Sequence, residues 1–289
     1  MNLINIIKKY INIIKPGILL GNLISFLGGI FFAFHGHIFF TKLYLSSIGT
    51  ILVIASGCIF NNIIDRDIDK TVQRTKNRVL AKKLIKLKYV YFFAFFCGII
   101  GFLILFLYTN FLVFFNGMCG FLIYVIVYTL CMKRFVPYAT LIGSISGAMP
   151  ILMGYCTINS QIDLICIILF LILIFWQIAH FYSISIFRIK DYQKNNIPIF
   201  SVIRGIFLTQ ILIIINIFLF IIFTISLYFL EYTGIIYFSI IIFFNVIWLF
   251  ITILSIFHTK IFLFSRISFI FSIIIIFLFN IMIGIDYIH

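Results

Sequence analysis

Acidic side chains are nearly missing from this chain. Of its 289 residues only seven are Asp or Glu, against 21 Lys or Arg, and charged residues make up 10% of the whole. A soluble domain carries about 25% charged residues. So little charge in a sequence that is 64% hydrophobic excludes an ordinary water-soluble fold. No Cys-x-x-Cys pair occurs among the six cysteines, which lie in or beside apolar runs; they are expected to be buried thiols rather than disulfides or zinc ligands. No Walker loop, dinucleotide fingerprint or nucleophile elbow is present, and neither is a fixed-period repeat or a low-complexity linker. The first apolar run is as long as a membrane span, which predicts a retained helix rather than a cleaved leader.

What fills the chain is apolar runs. Nine are long enough to cross a bilayer as helices, at roughly 16–34, 43–62, 89–107, 111–130, 138–156, 164–187, 206–228, 235–257 and 262–284. Ile and Phe favour strands in water, but in lipid the backbone must satisfy its own hydrogen bonds, so a helix wins. The expected fold is an all-α, polytopic membrane bundle of about nine transmembrane helices, one domain over 1–289. With nine spans, 20 of the 21 basic residues fall in loops on one side and Lys42 alone falls on the other. The positive-inside rule then predicts a cytoplasmic N-terminus and an external C-terminus. The same placement explains the net charge of +14 without nucleic acid.

The scarce carboxylates are not scattered. Asp65, Asp67 and Asp69 lie within five residues, where an apolar run gives way to a basic loop. Asn61, Asp65 and Asp69 are spaced four apart, which stacks them on one helical face, while Asp67 points away. One reading is a solvated helix end. The other is a functional site, because acidic groups beside lipid are costly unless paired or used. Three close aspartates need cations to stay ionised. Arg66, Lys70, Arg74, Lys76 and Arg78 supply part of that need, and a divalent metal with substrate phosphates would supply the rest.

Two further segments invite the same question. His180, Phe187 and Asp191 lie near one face of a helix that runs out of the sixth span, with Arg188 and Lys190 close by. A histidine inside a membrane helix is either a hydrogen-bonded packing group or a functional one. In Arg74-Thr-Lys-Asn-Arg78, positive-inside bias and a diphosphate clamp are equally good explanations. His35, His37, His258 and His289 are not expected to be catalytic. Gly28-Gly29, Gly143 and Gly147 are expected to allow close helix packing.

Taken together these strings resemble a known family. Asn61-x-x-x-Asp65-x-x-x-Asp69 is similar to the first aspartate motif of the UbiA-type intramembrane prenyltransferases. Asn62 to Leu80, Trp176-Gln-Ile-Ala-His180, Phe187 to Tyr192, Asn196-Ile-Pro198, Lys15-Pro16 and Gly21-Asn22 resemble the family's haem branch, over nearly the whole chain. Many members carry a second Asp-x-x-x-Asp; here Phe187 stands four before Asp191, which is compatible with the haem branch.

The resemblance implies transfer of farnesyl from farnesyl diphosphate to a vinyl group of haem b. Magnesium on Asn61, Asp65, Asp69 and Asp191 would stabilise the leaving diphosphate, with Asp65, Asp69 and Asp191 as the carboxylate ligands. Arg66, Arg74, Lys76, Arg78, Arg188 and Lys190 would be substrate-binding cations, and His180 a haem contact or ligand. It further implies a bacterial inner membrane, the lipid bilayer as surroundings, and terminal oxidase subunits as the partners such a product would serve. The competing readings are a prenyltransferase acting on an aromatic acceptor and, from another class, a transporter with an acidic cation site. The latter is disfavoured by acidic groups at one membrane face rather than the midplane.

Overall fold

A computed structural model of the chain describes residues 3–34 and 40–288. His35, His37 and His289 lie outside the described residues. The described residues fold into thirteen α-helices: α1 (Leu3–Ile13), α2 (Pro16–Ala33), α3 (Phe40–Ile64), α4 (Arg66–Thr71), α5 (Leu87–Tyr108), α6 (Phe111–Leu122), α7 (Ala139–Ile158), α8 (Leu164–Phe187), α9 (Ile189–Lys194), α10 (Phe200–Ile203), α11 (Ile206–Phe229), α12 (Ile235–Phe257) and α13 (Ile261–Ile285). α6 runs on as a π-helix over Ile123–Met132. Among the described residues, extended pairing is confined to one bridge, Thr233 to Tyr287.

Nine of these helices are long and apolar enough to cross a membrane: α2, α3, α5, α6 with its π extension, α7, α8, α11, α12 and α13. Their ends fall within three residues of the spans read from the sequence. Local chemistry sets several of those ends. Pro16 opens α2, where a missing N–H costs nothing. The Asn110 side chain accepts from the Val113 amide at 3.0 Å, and Asp163 accepts from the Cys166 amide at 2.8 Å, capping α6 and α8.

The largest buried cluster joins α2, α7, α8, α11, α12 and α13 through residues such as Phe26, Ile151, Tyr182, Phe220, Trp248 and Phe279. Between α2 and α7 the backbones nearly touch. A Cβ on Gly154 would lie 1.9 Å from the Phe26 carbonyl oxygen, and one on Gly29 would lie 2.3 Å from that of Ile151. A second cluster forms where α3 packs on α5. It buries Ile59, Ile63, Val90 and Ala94 with Val79 and Leu80 from the intervening segment. Those two residues give the polar 65–83 stretch an apolar foot, so it is docked rather than loose. The basic loop read from the sequence is thus packed against α3 and α5.

Candidate active site

The acidic ladder sits at the end of α3. The helix stops at Ile64 and α4 starts at Arg66, so the ladder is not one uninterrupted helix as the spacing predicts. The four-residue bonding nevertheless continues through the break. The Asp65 amide donates to the Asn61 carbonyl at 2.9 Å, and the Asp69 amide to that of Asp65 at 2.8 Å. Asn61, Asp65 and Asp69 are all buried, and Asp65 is only 1% exposed. Asp67 leaves the ladder as expected: Arg134 holds it in a fork at 2.7 and 2.8 Å, and its side chain is 60% exposed. That guanidinium keeps the Asp67 carboxyl below the usual carboxylate range.

Cations from three other segments close on the ladder. Lys15, between α1 and α2, adopts a left-handed backbone (φ 56°) and donates through Nζ to Asn61 Oδ1. A non-glycine residue held in that region is commonly a site under functional constraint. Asn61 Nδ2 donates in turn to Asp65 Oδ2 at 2.9 Å and to Thr129 Oγ1 at 3.0 Å. Lys133, just past the π-helix, donates to the same Asp65 Oδ2. Arg78 grips both oxygens of Asp69 at 2.8 and 2.9 Å. Arg74 and Arg78 share with Asp69, Asn12 and Asn77 a cavity of about 270 Å³.

The electrostatics reflect this crowding. Burial pushes the Lys15 ammonium down to about 8; Cys58 counters it, and Arg78 and Lys133 lower it further. Burial also works against the charge of Lys133, but Asp65 and Tyr128 outweigh it and the ammonium is held above its ordinary value. Four cations (Lys15, Arg74, Arg78, Lys133) stand against two buried carboxylates (Asp65, Asp69). A site with that surplus favours an anion.

The π-helix explains why Thr129 and Lys133 face the ladder. Its widened bonding is marked by the Lys133 amide donating five residues back to Tyr128 at 2.8 Å. Such segments concentrate at functional sites because they re-aim side chains. Lys15, Lys133 and Thr129 were absent from the sequence-predicted set. The two lysines had a sufficient explanation as orientation charges, and their partners are 46 and 68 residues away in the chain.

The second predicted cluster is divided by the fold. α8 ends at Phe187 and Asp191 belongs to α9, so His180 and Asp191 do not share one continuous helix face. Arg188 marks the break, lies 5.3 Å over the Phe187 ring and pairs with Asp191 at 3.9 Å. His180 and Phe187 do stay on one side, since both meet Phe269 of α13, at 4.8 and 5.5 Å between rings. Tyr192 of α9 lies within electrostatic reach of both clusters. Burial raises its phenol, Tyr128 adds to that, Arg74 and Lys133 oppose it, and Asp191 adds again. Arg66, Lys76, Arg188 and Lys190 are exposed; none of them lines the Asp69 cavity.

A divalent ion fits part of this set. The donors are hard oxygens, and Asp65 Oδ1 is buried with no hydrogen-bond partner among the described residues. Among those residues, however, no three of His, Cys, Asp or Glu converge on one point.

Comparison with known proteins gives consistent matches. The family model described as the UbiA prenyltransferase family matches residues 22–273. A protein named protoheme IX farnesyltransferase from Yersinia pseudotuberculosis is 44% identical over 281 residues, covering 97% of this chain and 95% of its own length. One of the same name from Pectobacterium carotovorum matches to the same extent. A solved digeranylgeranylglyceryl phosphate synthase superimposes with a TM-score of 0.77 at 19% identity, over 96% of this chain and 98% of its own. A UbiA homologue from Archaeoglobus fulgidus, solved bound to GPP and Mg2+, gives a TM-score of 0.70 at 15% identity, over 96% and 100%.

Proposed function

The chain belongs to the UbiA prenyltransferase family, and from that premise we propose that it transfers farnesyl from farnesyl diphosphate to a vinyl group of haem b. The observation that carries the acceptor is the 44% identity, over 97% of the chain, to proteins named for that reaction. The observation that supports the chemistry is the buried carboxylate Asp65, ringed by cations at one end of a membrane bundle.

The reaction asks three things of the protein. The allylic C–O bond must break, leaving diphosphate and a farnesyl cation. The vinyl carbon must then attack that cation, and water must capture the new cation on the haem side and lose a proton. Lys15, Arg74, Arg78 and Lys133 suit the first step, since fixed charges aimed at a developing anion stabilise it without reorganisation. Arg74 and Arg78 offer forks for phosphate oxygens. The apolar bundle holds the isoprenoid and keeps bulk water from the cation. Magnesium would be held through one or two at a time of the carboxylates Asp65, Asp69 and Asp191, with Asn61 alongside and diphosphate oxygens completing the set, and when bound it would neutralise charge on the departing diphosphate. His180 and the loop cations would meet the haem.

The proposed setting is a bacterial inner membrane with this site on the cytoplasmic side. The test is incubation of purified protein with haem b, farnesyl diphosphate and magnesium. The expected product is haem carrying one farnesyl and one hydroxyl by mass. Unchanged haem, with an aromatic acid prenylated instead, would overturn the acceptor.

A further inference from the structure

α8 and α13 are joined at a single serine. Trp176 Nε1 donates to the Ser272 carbonyl at 2.8 Å, and one turn later His180 Nδ1 lies 2.7 Å from the Ser272 hydroxyl. A hydroxyl has one proton to give. Ser272 gives it to the Phe269 carbonyl, 2.6 Å away. Its oxygen is therefore left to accept, and the hydrogen in the contact with His180 belongs to Nδ1. For a neutral imidazole that places the lone pair on Nε2. Among the described residues Nε2 makes no hydrogen bond. The ring is fixed in that attitude by Trp176, stacked at 5.0 Å and 29°, and by Phe269 at 4.8 Å.

The simple alternative is helix-to-helix glue, the usual role of polar side chains in a bundle. Glue is already supplied at this point by the Trp176 bond to the Ser272 backbone. It gives no reason to hold the second imidazole nitrogen without a partner among the described residues and still accessible, not fully buried, on a membrane-spanning helix. A Lewis-acidic metal is what such a nitrogen answers. A histidine ligand whose other nitrogen donates to a fixed acceptor is the ordinary arrangement for holding one.

We propose that Ser272 is a positioning residue that fixes the His180 tautomer and so presents Nε2 to the haem iron. The inference rests on the haem reading given above and adds to it the coordinating atom and the residue on α13 that orients it. Both residues lie within membrane-spanning helices, α8 and α13, which would place the iron in the apolar layer.

The test is titration of the full-length protein with ferric haem b, followed by absorption and electron paramagnetic resonance. The wild type should give a nitrogen-ligated iron. His180→Ala should remove that signature. Ser272→Ala should weaken haem binding about 10- to 100-fold and lower the nitrogen-ligated fraction, as losing a partner that orients a metal ligand commonly does. The backbone bond from Trp176 survives that substitution, and magnesium-dependent binding of farnesyl diphosphate serves as the folding control. Added imidazole should restore ligation better in His180→Gly than in the double variant His180→Gly, Ser272→Ala. Ser272→Ala with wild-type affinity and spectrum would overturn the proposal while leaving the haem reading intact. A wild-type haem complex without nitrogen ligation would do the same. No haem binding by the wild type at all would overturn both.

Discussion

Asp65 holds the site together by being incompletely satisfied. One of its oxygens takes both Asn61 and Lys133; the other is buried without a partner among the described residues. Asp67, two residues on, is largely exposed and answers to Arg134. The two should therefore part company on mutation. Asp65→Asn is expected to lower turnover about 10²–10³-fold, the usual cost of losing one electrostatic stabiliser of a transition state. Asp67→Asn should leave turnover within a few-fold and cost under about 1 kcal/mol of stability, as exposed ion pairs do. Steady-state rates of both variants in the haem assay check this, and equal losses would refute the division. The spacing of Asn61, Asp65 and Asp69 made the ladder legible from sequence, because a four-residue period survives a local helix break. Lys15 and Lys133 were not legible. A lysine at the end of a membrane span already has a reason to be there, and only the folded chain shows that these two turn inward.

At the scale of elements, regular helices were legible and their interruptions were not. Span ends follow from hydropathy and caps, both local. The π-helix over Ile123–Met132 is different, because its sequence is apolar like the other spans and carries no local mark of the change. Its register is drawn by contacts from elsewhere, Asn61 to Thr129 and Lys133 to Asp65. Deleting Leu130, an exposed residue in that segment, would return it toward ordinary α-helical bonding and swing Lys133 off Asp65. Expression and insertion should persist while haem farnesylation falls at least tenfold; an active deletion would mean that the π register is incidental. The α2–α7 contact offers a second test at this scale. Gly154→Ala puts a methyl against the Phe26 carbonyl and should cost about 1–3 kcal/mol, the range for overpacking. Gly17→Ala, with open space around it, should cost nothing in the same denaturation assay.

For the whole molecule the decisive quantity is the sidedness of charge. The structure brings Lys15, Arg78 and Lys133 together around the ladder, and α9 approaches the same end through Tyr192. These contacts tie the N-terminal segment, the 65–83 segment, the end of the π-helix and the 188–194 segment to one face of the bundle. That is the face to which the sequence assigns all but one of the 21 basic residues. Basic residues in short loops resist translocation, so this face should stay in the cytoplasm, where a water-soluble diphosphate substrate would reach the ladder directly. An odd number of spans then carries the C-terminus to the other side. A reporter active only outside the membrane, fused after His289, should be active, and the same reporter placed in the 188–204 segment should be silent. Cysteine labelling gives an independent reading: Lys42→Cys should react with an impermeant thiol reagent from outside, and Lys76→Cys only after the membrane is opened. Reversed labelling with intact farnesylation would leave the chemistry standing and invert the membrane orientation.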